Sequence, residues 1–137
     1  MLEGGCLCGG IRFRVTGKLG PAAYCHCKMC QRASGSAFAA NAPARTAYFQ
    51  LVAGSDLVSE YESSPGKLRA FCRRCGSPIY SRTEADPEVR RVRLGTLDSD
   101  PERRPFAHFW VSANAPWHAI TDGLPQYPEG VISEQAP

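Results

Sequence analysis

Phe71-Cys72-Arg73-Arg74-Cys75-Gly76 sets two thiols three residues apart with a glycine directly behind the second. In such a turn backbone N–H groups can point at the sulfurs, and glycine accepts the positive φ that a side chain resists, which is the local design of a metal knuckle. A knuckle supplies two ligands, whereas a closed tetrahedral zinc takes four. The other cysteines lie in Cys6-Leu7-Cys8 and Cys25-His26-Cys27-Lys28-Met29-Cys30, so the chain's seven divide into four and three. Completing the knuckle from the middle cluster would strand a cysteine there and leave Cys6 and Cys8 unused. Pairing Cys6 and Cys8 with Cys72 and Cys75 uses every thiol. That set is expected to close a structural zinc, and Cys25, Cys27 and Cys30 to hold a second zinc with one position open to water or substrate.

Disulfides are the plainer reading of a small cysteine-rich chain. The odd number, the partners one or three residues apart, and a start at Met1-Leu2-Glu3-Gly4-Gly5 with no basic-then-apolar signal segment all count against it. A cytoplasmic location is expected, with no membrane association, since no apolar run approaches spanning length. At 137 residues and 43% hydrophobic composition the chain reads as one globular domain, taken as residues 1–127, with a loosely ordered tail over 128–137 beginning to loosen from about Gly123. Its 13 Gly and 11 Pro imply many turns, so metal crosslinks should contribute much of the stability. The formal charge of +3 suggests a nucleic-acid partner only until metal is counted: seven thiolates and two Zn²⁺ cancel it. Arg90, Arg91, Arg93, Arg103 and Arg104 then read as a solvated face, with a phosphate or carboxylate partner as the other reading.

The dominant hydrophobic period is two. Ile11-Arg12-Phe13-Arg14-Val15 alternates apolar with basic side chains, as a half-exposed strand does. Further short strands are predicted over 48–52, 57–61, 68–72, 78–82, 89–97 and 109–112. Turns are predicted at Ala53-Gly54-Ser55-Asp56, Ser63-Ser64-Pro65-Gly66, Asp86-Pro87 and Ser99-Asp100-Pro101. One short helix is predicted over 28–33, where the third cysteine of the middle cluster sits. The fold class expected is mainly β, mostly antiparallel and clamped by zinc.

Three motifs match a known family: Gly5-Cys6-x-Cys8-Gly9-Gly10-x-Arg12, Cys25-His26-Cys27-x-Met29-Cys30-x-Arg32-x-Ser34-Gly35-x-x-Phe38, and Ser63-Ser64-Pro65-Gly66-x-x-Arg69-x-Phe71-Cys72-x-x-Cys75-Gly76-Ser77-Pro78. Together with Gly95-Thr96-Leu97-Asp98, His108-x-x-Val111, Ala115-Pro116-Trp117 and Asp122-x-Leu124-Pro125-Gln126 they resemble the glutathione-dependent formaldehyde-activating family, which also includes centromere protein V. The resemblance spans roughly residues 3–127. It implies a β-tent related to the Mss4-like fold, with a structural zinc at Cys6, Cys8, Cys72 and Cys75 and the catalytic zinc at Cys25, Cys27 and Cys30. The activity it implies is that of a carbon–sulfur lyase acting on a small thiol adduct such as S-hydroxymethylglutathione.

A zinc held by three thiolates is a weaker Lewis acid than one held by histidines, and better suited to holding a thiolate than to making hydroxide. An incoming glutathione thiol would lose its proton there and attack an aldehyde carbonyl. Arg32, Ser34, Gly35 and Phe38 follow the cluster and would line an approach to it, with Arg32 pairing a substrate carboxylate. Phe49 and Trp117, and Phe38 as an aromatic, also have core packing as a plain reading. His26, between two ligands, is expected to turn away and pack, and His108 and His118 to be structural. The reading from a different class is a non-catalytic zinc-binding module that recognises a protein or nucleic acid.

Overall fold

The computed structural model describes residues 1–130; residues 131–137, most of the segment expected to form a loose tail, lie outside the described residues. Two sheets make up the fold. The smaller has the order β1-β2-β5, formed by Leu2–Gly5, Arg12–Val15 and Phe49–Ala53. The larger is built from β3 (Ala23–Cys25), β4 (Ala39–Arg45), β6 (Val58–Ser64), β7 (Lys67–Cys72), β8 (Pro78–Thr83), β9 (Asp86–Arg93) and β10 (His108–Phe109), in the order β10-β3-β4-β9-β8-β7-β6. Every pairing is antiparallel except β10 with β3. A single α-helix among the described residues, α1 (Lys28–Ser34), follows β3. The expected mainly β class with one short helix is what folds.

The sheets close on a core to which each contributes alternate residues. Ile11, Phe13 and Val15 are at most 1% exposed, while Arg12 and Arg14 point outward to Asp98 and Glu3. Phe13 stacks on Phe49 at 5.1 Å between ring centres. The larger sheet answers with Ala42, Ala44, Ala70, Tyr80 and Val92, even-numbered residues of one face. Apart from Ile79, which sits at the β7–β8 register shift and joins the core, the odd-numbered residues of β7, β8 and β9 face the other way, and this second face carries the three-cysteine cluster's cavity.

Three strands escaped the sequence reading, namely β1, β3 and β4. β4 reads Ala39-Ala40-Asn41-Ala42-Pro43-Ala44-Arg45, and a proline inside a run argues against a central strand. It is tolerated because β3 pairs only as far as Asn41, and beyond its end the Pro43 carbonyl accepts from Gly20 N–H at 2.7 Å. The missing N–H of Pro43 thus faces a side where no strand continues. The turn expected at Asp86-Pro87 falls instead at Glu84-Ala85, with Asp86 and Pro87 already in β9. The strand expected over 89–97 ends at Arg93 in a 3₁₀ turn, and that expected over 109–112 is cut short at Phe109 because Trp110 takes φ +58°. The segment from Gly123, expected to be loose, is tied down as far as Glu129. His108 N–H donates to Pro125, Tyr127 N–H to His108, Val111 N–H to Tyr127, and Trp110 N–H to Glu129, at 2.9–3.0 Å.

Two turn glycines share positive φ but differ in surroundings. At Gly66 (φ +76°), behind Pro65 as a type II turn requires, an added Cβ meets open space; at Gly54 (φ +77°) it would sit 2.1 Å from the Gly10 carbonyl oxygen. Gly66→Ala should cost about 1 kcal/mol through φ alone, and Gly54→Ala at least about 2 kcal/mol more. Thermal unfolding of the two variants checks the order, and equal losses would refute it.

Candidate metal centre

The Cys6 and Cys8 sulfurs come from the loop between β1 and β2, Cys72 ends β7, and Cys75 lies in the turn before β8. These four sulfurs all lie within 4.8 Å of one another, with Cys6 to Cys8 at 3.5 Å and Cys8 to Cys72 at 3.9 Å. Zinc–sulfur bonds of about 2.3 Å in a tetrahedron separate sulfurs by about 3.8 Å, so the donor set fits Zn²⁺. The loops are shaped for it: Ile11 N–H donates to Cys6 Sγ at 3.2 Å, and Gly76 takes φ +79°. Ser77 Oγ, 3.2 Å from Cys75 Sγ, accepts from Leu7 N–H and so joins the two halves. Chiefly through that Ser77 contact the Cys75 thiol is drawn down to about 5.

Cys25 ends β3, Cys27 is the N-cap of α1, and Cys30 lies in its first turn; these three sulfurs also fall within 4.8 Å of one another. Cys30 N–H donates to Cys27 Sγ at 3.3 Å. Hydrogen bonds from Cys25 and Cys27 draw the Cys30 thiol far down, helped by the Arg69 guanidinium, whose two terminal nitrogens lie 3.7 and 3.8 Å from its sulfur. Cys25 is pushed up by its partners Cys27 and Cys30 in turn. A cluster that holds negative charge beside a fixed cation has the donor chemistry of a soft divalent metal. Arg69 is itself held by Ser63 Oγ at 2.9 Å. None of the seven cysteines forms a disulfide.

His26 turns away from the sulfurs, as expected, into a buried chain. Its Nε2 lies 2.7 Å from His108 Nδ1, and His108 Nε2 lies 3.0 Å from both carboxylate oxygens of Asp122. Burial holds His26 below its ordinary value. Gln31 Nε2 donates to the carbonyls of His26 and Ala113 at 2.8 Å each, pinning the ligand loop to the distal segment. Gln31 carried no sequence signal and Asp122 only its place in a family motif, because their roles arise from partners that are remote along the chain. His108→Ala leaves a buried imidazole nitrogen unpaired and opens a gap, so a loss of about 2–3 kcal/mol is expected in denaturant unfolding; a loss under 0.5 kcal/mol would refute it.

Cys25 and Cys30 open onto a cavity of about 480 Å³ on the odd-numbered face of the larger sheet. Arg32, Ser34, Gly35 and Phe38 do not line it. Arg32 is exposed at the end of α1, Gly35 caps that helix at φ +62°, and Ser34 Oγ donates to the Cys30 and Phe38 carbonyls. Phe38 packs 5.3 Å from the His26 ring, and with Ser34 it borders a separate groove beside Cys6, Arg12 and Asp98. Phe49 packs against the core, but Trp117, expected there, is 70% exposed. His118 stacks at 6.1 Å from His26.

The arginines expected to form one solvated face are dispersed by strand alternation. Arg90 lies over the Tyr80 ring at 4.4 Å on the core side, Arg93 is 6% exposed on the opposite face, Arg91 lines the cavity, and Arg104 pairs with Asp100.

Comparison with known proteins agrees with this geometry. The family described as glutathione-dependent formaldehyde-activating enzyme matches residues 1–113. A protein of Halomonas elongata, named for glutathione-dependent formaldehyde activation, is 33% identical over 131 residues, covering 88% of this chain and 81% of its own. An uncharacterised lyase of Schizosaccharomyces pombe is 31% identical over 78 residues, covering 57% of this chain and 55% of its own. The crystal structure of a Rhodobacter sphaeroides protein superposes with a TM-score of 0.61 at 26% identity, covering 72% of this chain and 89% of that one.

Proposed function

Since the chain belongs to the glutathione-dependent formaldehyde-activating enzyme family, we propose that it is a carbon–sulfur lyase that reversibly joins a small thiol such as glutathione to formaldehyde, with zinc at both cysteine clusters. The observation that carries this reading is the three-sulfur cluster of Cys25, Cys27 and Cys30 opening onto a cavity, while the four-sulfur cluster closes on itself. Cys25, Cys27 and Cys30 would hold the zinc at the cavity, and the metal would supply the positive charge that lowers the proton affinity of a substrate thiol at neutral pH.

In the forward direction the thiol gives up its proton and a sulfur lone pair forms the S–C bond. The carbonyl π pair moves to oxygen, and that oxygen takes up a proton. The reverse reaction returns the proton, breaks the S–C bond and regenerates the carbonyl. Arg69 is the cation fixed beside the cluster, and its N–H groups are placed to bind the oxygen as negative charge develops there. Arg69 would thus stabilise the developing charge rather than supply the proton.

Exchange NMR between S-hydroxymethylglutathione and its free components tests the proposal. Since thiols add to formaldehyde spontaneously, the holoprotein must raise the exchange rate above background, saturably in glutathione. Arg69→Met should lower the catalysed rate about 100-fold with zinc content unchanged. Exchange at the background rate with both zincs bound would refute the lyase reading.

A further inference from the structure

The cavity above Cys25 and Cys30 has two chemically different sides, and the strand order separates them. On the β9-β8-β7 side stand Arg91 and Arg93, Ser81, and Lys67 and Arg69. Pairing sets Arg69 opposite Ser81 and Ser81 opposite Arg91, so these residues share one level of one face. Among the described residues none of Lys67, Arg69, Arg91 and Arg93 forms an ion pair, although five other pairs form elsewhere. Arg93 is 6% exposed, with Asn41 as its hydrogen-bond partner. Burial, followed by Arg91 and Arg69, holds the Lys67 ammonium below its ordinary value. Cys30 Sγ, in contact with Arg69, offsets part of this charge, but four cations face the space with no carboxylate among its lining residues, which leaves room for an entering anion to pair with them.

On the β3-β10 side the lining becomes apolar. Phe109 is the residue paired with Cys25, and the Phe106 ring lies 5.8 Å from it. Trp110 follows at φ +58°, one of two non-glycine residues with positive φ among the described residues, and it lines the cavity. Backbone strain spent on placing an indole at a cavity edge points to use of that indole. The one carbon that formaldehyde contributes would leave this wall unfilled in a cavity of about 480 Å³.

We infer that the cavity takes a sulfur conjugate of an acidic thiol whose sulfur-borne group is bulky and apolar: Lys67, Arg69, Arg91 and Arg93 hold the carboxylates, and Phe106, Phe109 and Trp110 hold the substituent. The aldehyde class implied is aromatic or branched aliphatic. This rests on the reading that Cys25, Cys27 and Cys30 hold the substrate sulfur.

The test is calorimetric binding of S-methylglutathione and S-benzylglutathione to the zinc-loaded protein. Neither thioether can ionise at sulfur or turn over, so binding is read apart from catalysis. The benzyl conjugate should bind about tenfold more tightly, which is what burying roughly 55 Å² of ring surface supplies. Trp110→Ala should remove most of that advantage, bringing the benzyl-to-methyl affinity ratio close to one. Lys67→Gln combined with Arg91→Gln should weaken both conjugates at least about tenfold. Zinc content and unfolding temperature establish that each variant is folded, and Phe106→Ala serves if Trp110→Ala is not. Equal affinity for the two conjugates, a benzyl advantage that survives both aromatic variants, or no binding of either would overturn the inference. Formaldehyde exchange alongside any of those outcomes would leave the lyase reading standing. A benzyl preference without formaldehyde exchange would do the reverse.

Discussion

Cys72→Ser is expected to abolish folding. Cys72 is 0% exposed and belongs both to the core cluster and to the four-sulfur set. The crosslink through that set joins Cys8 to Cys72 across 64 positions of sequence, a long loop whose closure the unfolded chain resists. Structural zinc contributes about 10–16 kcal/mol in small metal-folded peptides, and domains of this size are stable by only about 5–15 kcal/mol. The core cannot make up the difference, because many of its buried residues are as small as Ala22, Ala42, Ala44 and Ala70, which bury little area. A serine would also leave a buried hydroxyl in place of a ligand. Circular dichroism and zinc analysis should show no cooperative transition for the variant, and excess chelator should reproduce that loss in the wild type. A cooperative melt near the wild-type temperature, with one zinc fewer, would mean that this cluster is dispensable.

Cys25→Ser should separate catalysis from folding. Cys25, Cys27 and Cys30 sit at the end of β3 and the start of α1, on the face away from the core, and none of them belongs to the core cluster. Losing one of three donors weakens metal binding far more in proportion than losing one of four, because no closed shell remains. The variant should keep one zinc and unfold within a few degrees of the wild type. Its catalysed exchange of S-hydroxymethylglutathione should fall at least about 100-fold, to near background. Full activity in a variant holding one zinc would refute the assignment of the chemistry to this cluster.

Much of the candidate site is legible along the chain because it is encoded locally. Cys72 and Cys75, and Cys25, Cys27 and Cys30, sit at spacings that a single turn or a short helix converts into adjacent sulfurs. The alternation of residues 11–15 likewise declares a strand, since one face of β2 is buried and the other wet. β4 stayed hidden because alanines and a proline carry no strand propensity; tertiary context supplies the pairing instead.

The cavity lay outside what local spacing can say. Arg32, Ser34, Gly35 and Phe38 are sequence neighbours of the cluster, and they were natural candidates for its approach. The helix directs them to a cap, to solvent and to a different groove. The residues that do face the cavity with Cys25 and Cys30 come from β4, β7, β8, β9 and the segment around β10, separated by tens of positions. Sequence by itself determined the local cysteine groupings and the period-two character of the fold, because each depends on side chains within a turn or a few strand residues of one another. Only tertiary structure decided that Lys67, Arg69, Arg91 and Arg93 converge opposite an aromatic wall. Which residues share a face follows from strand register, and register is set by pairing between distant segments rather than by any one of them.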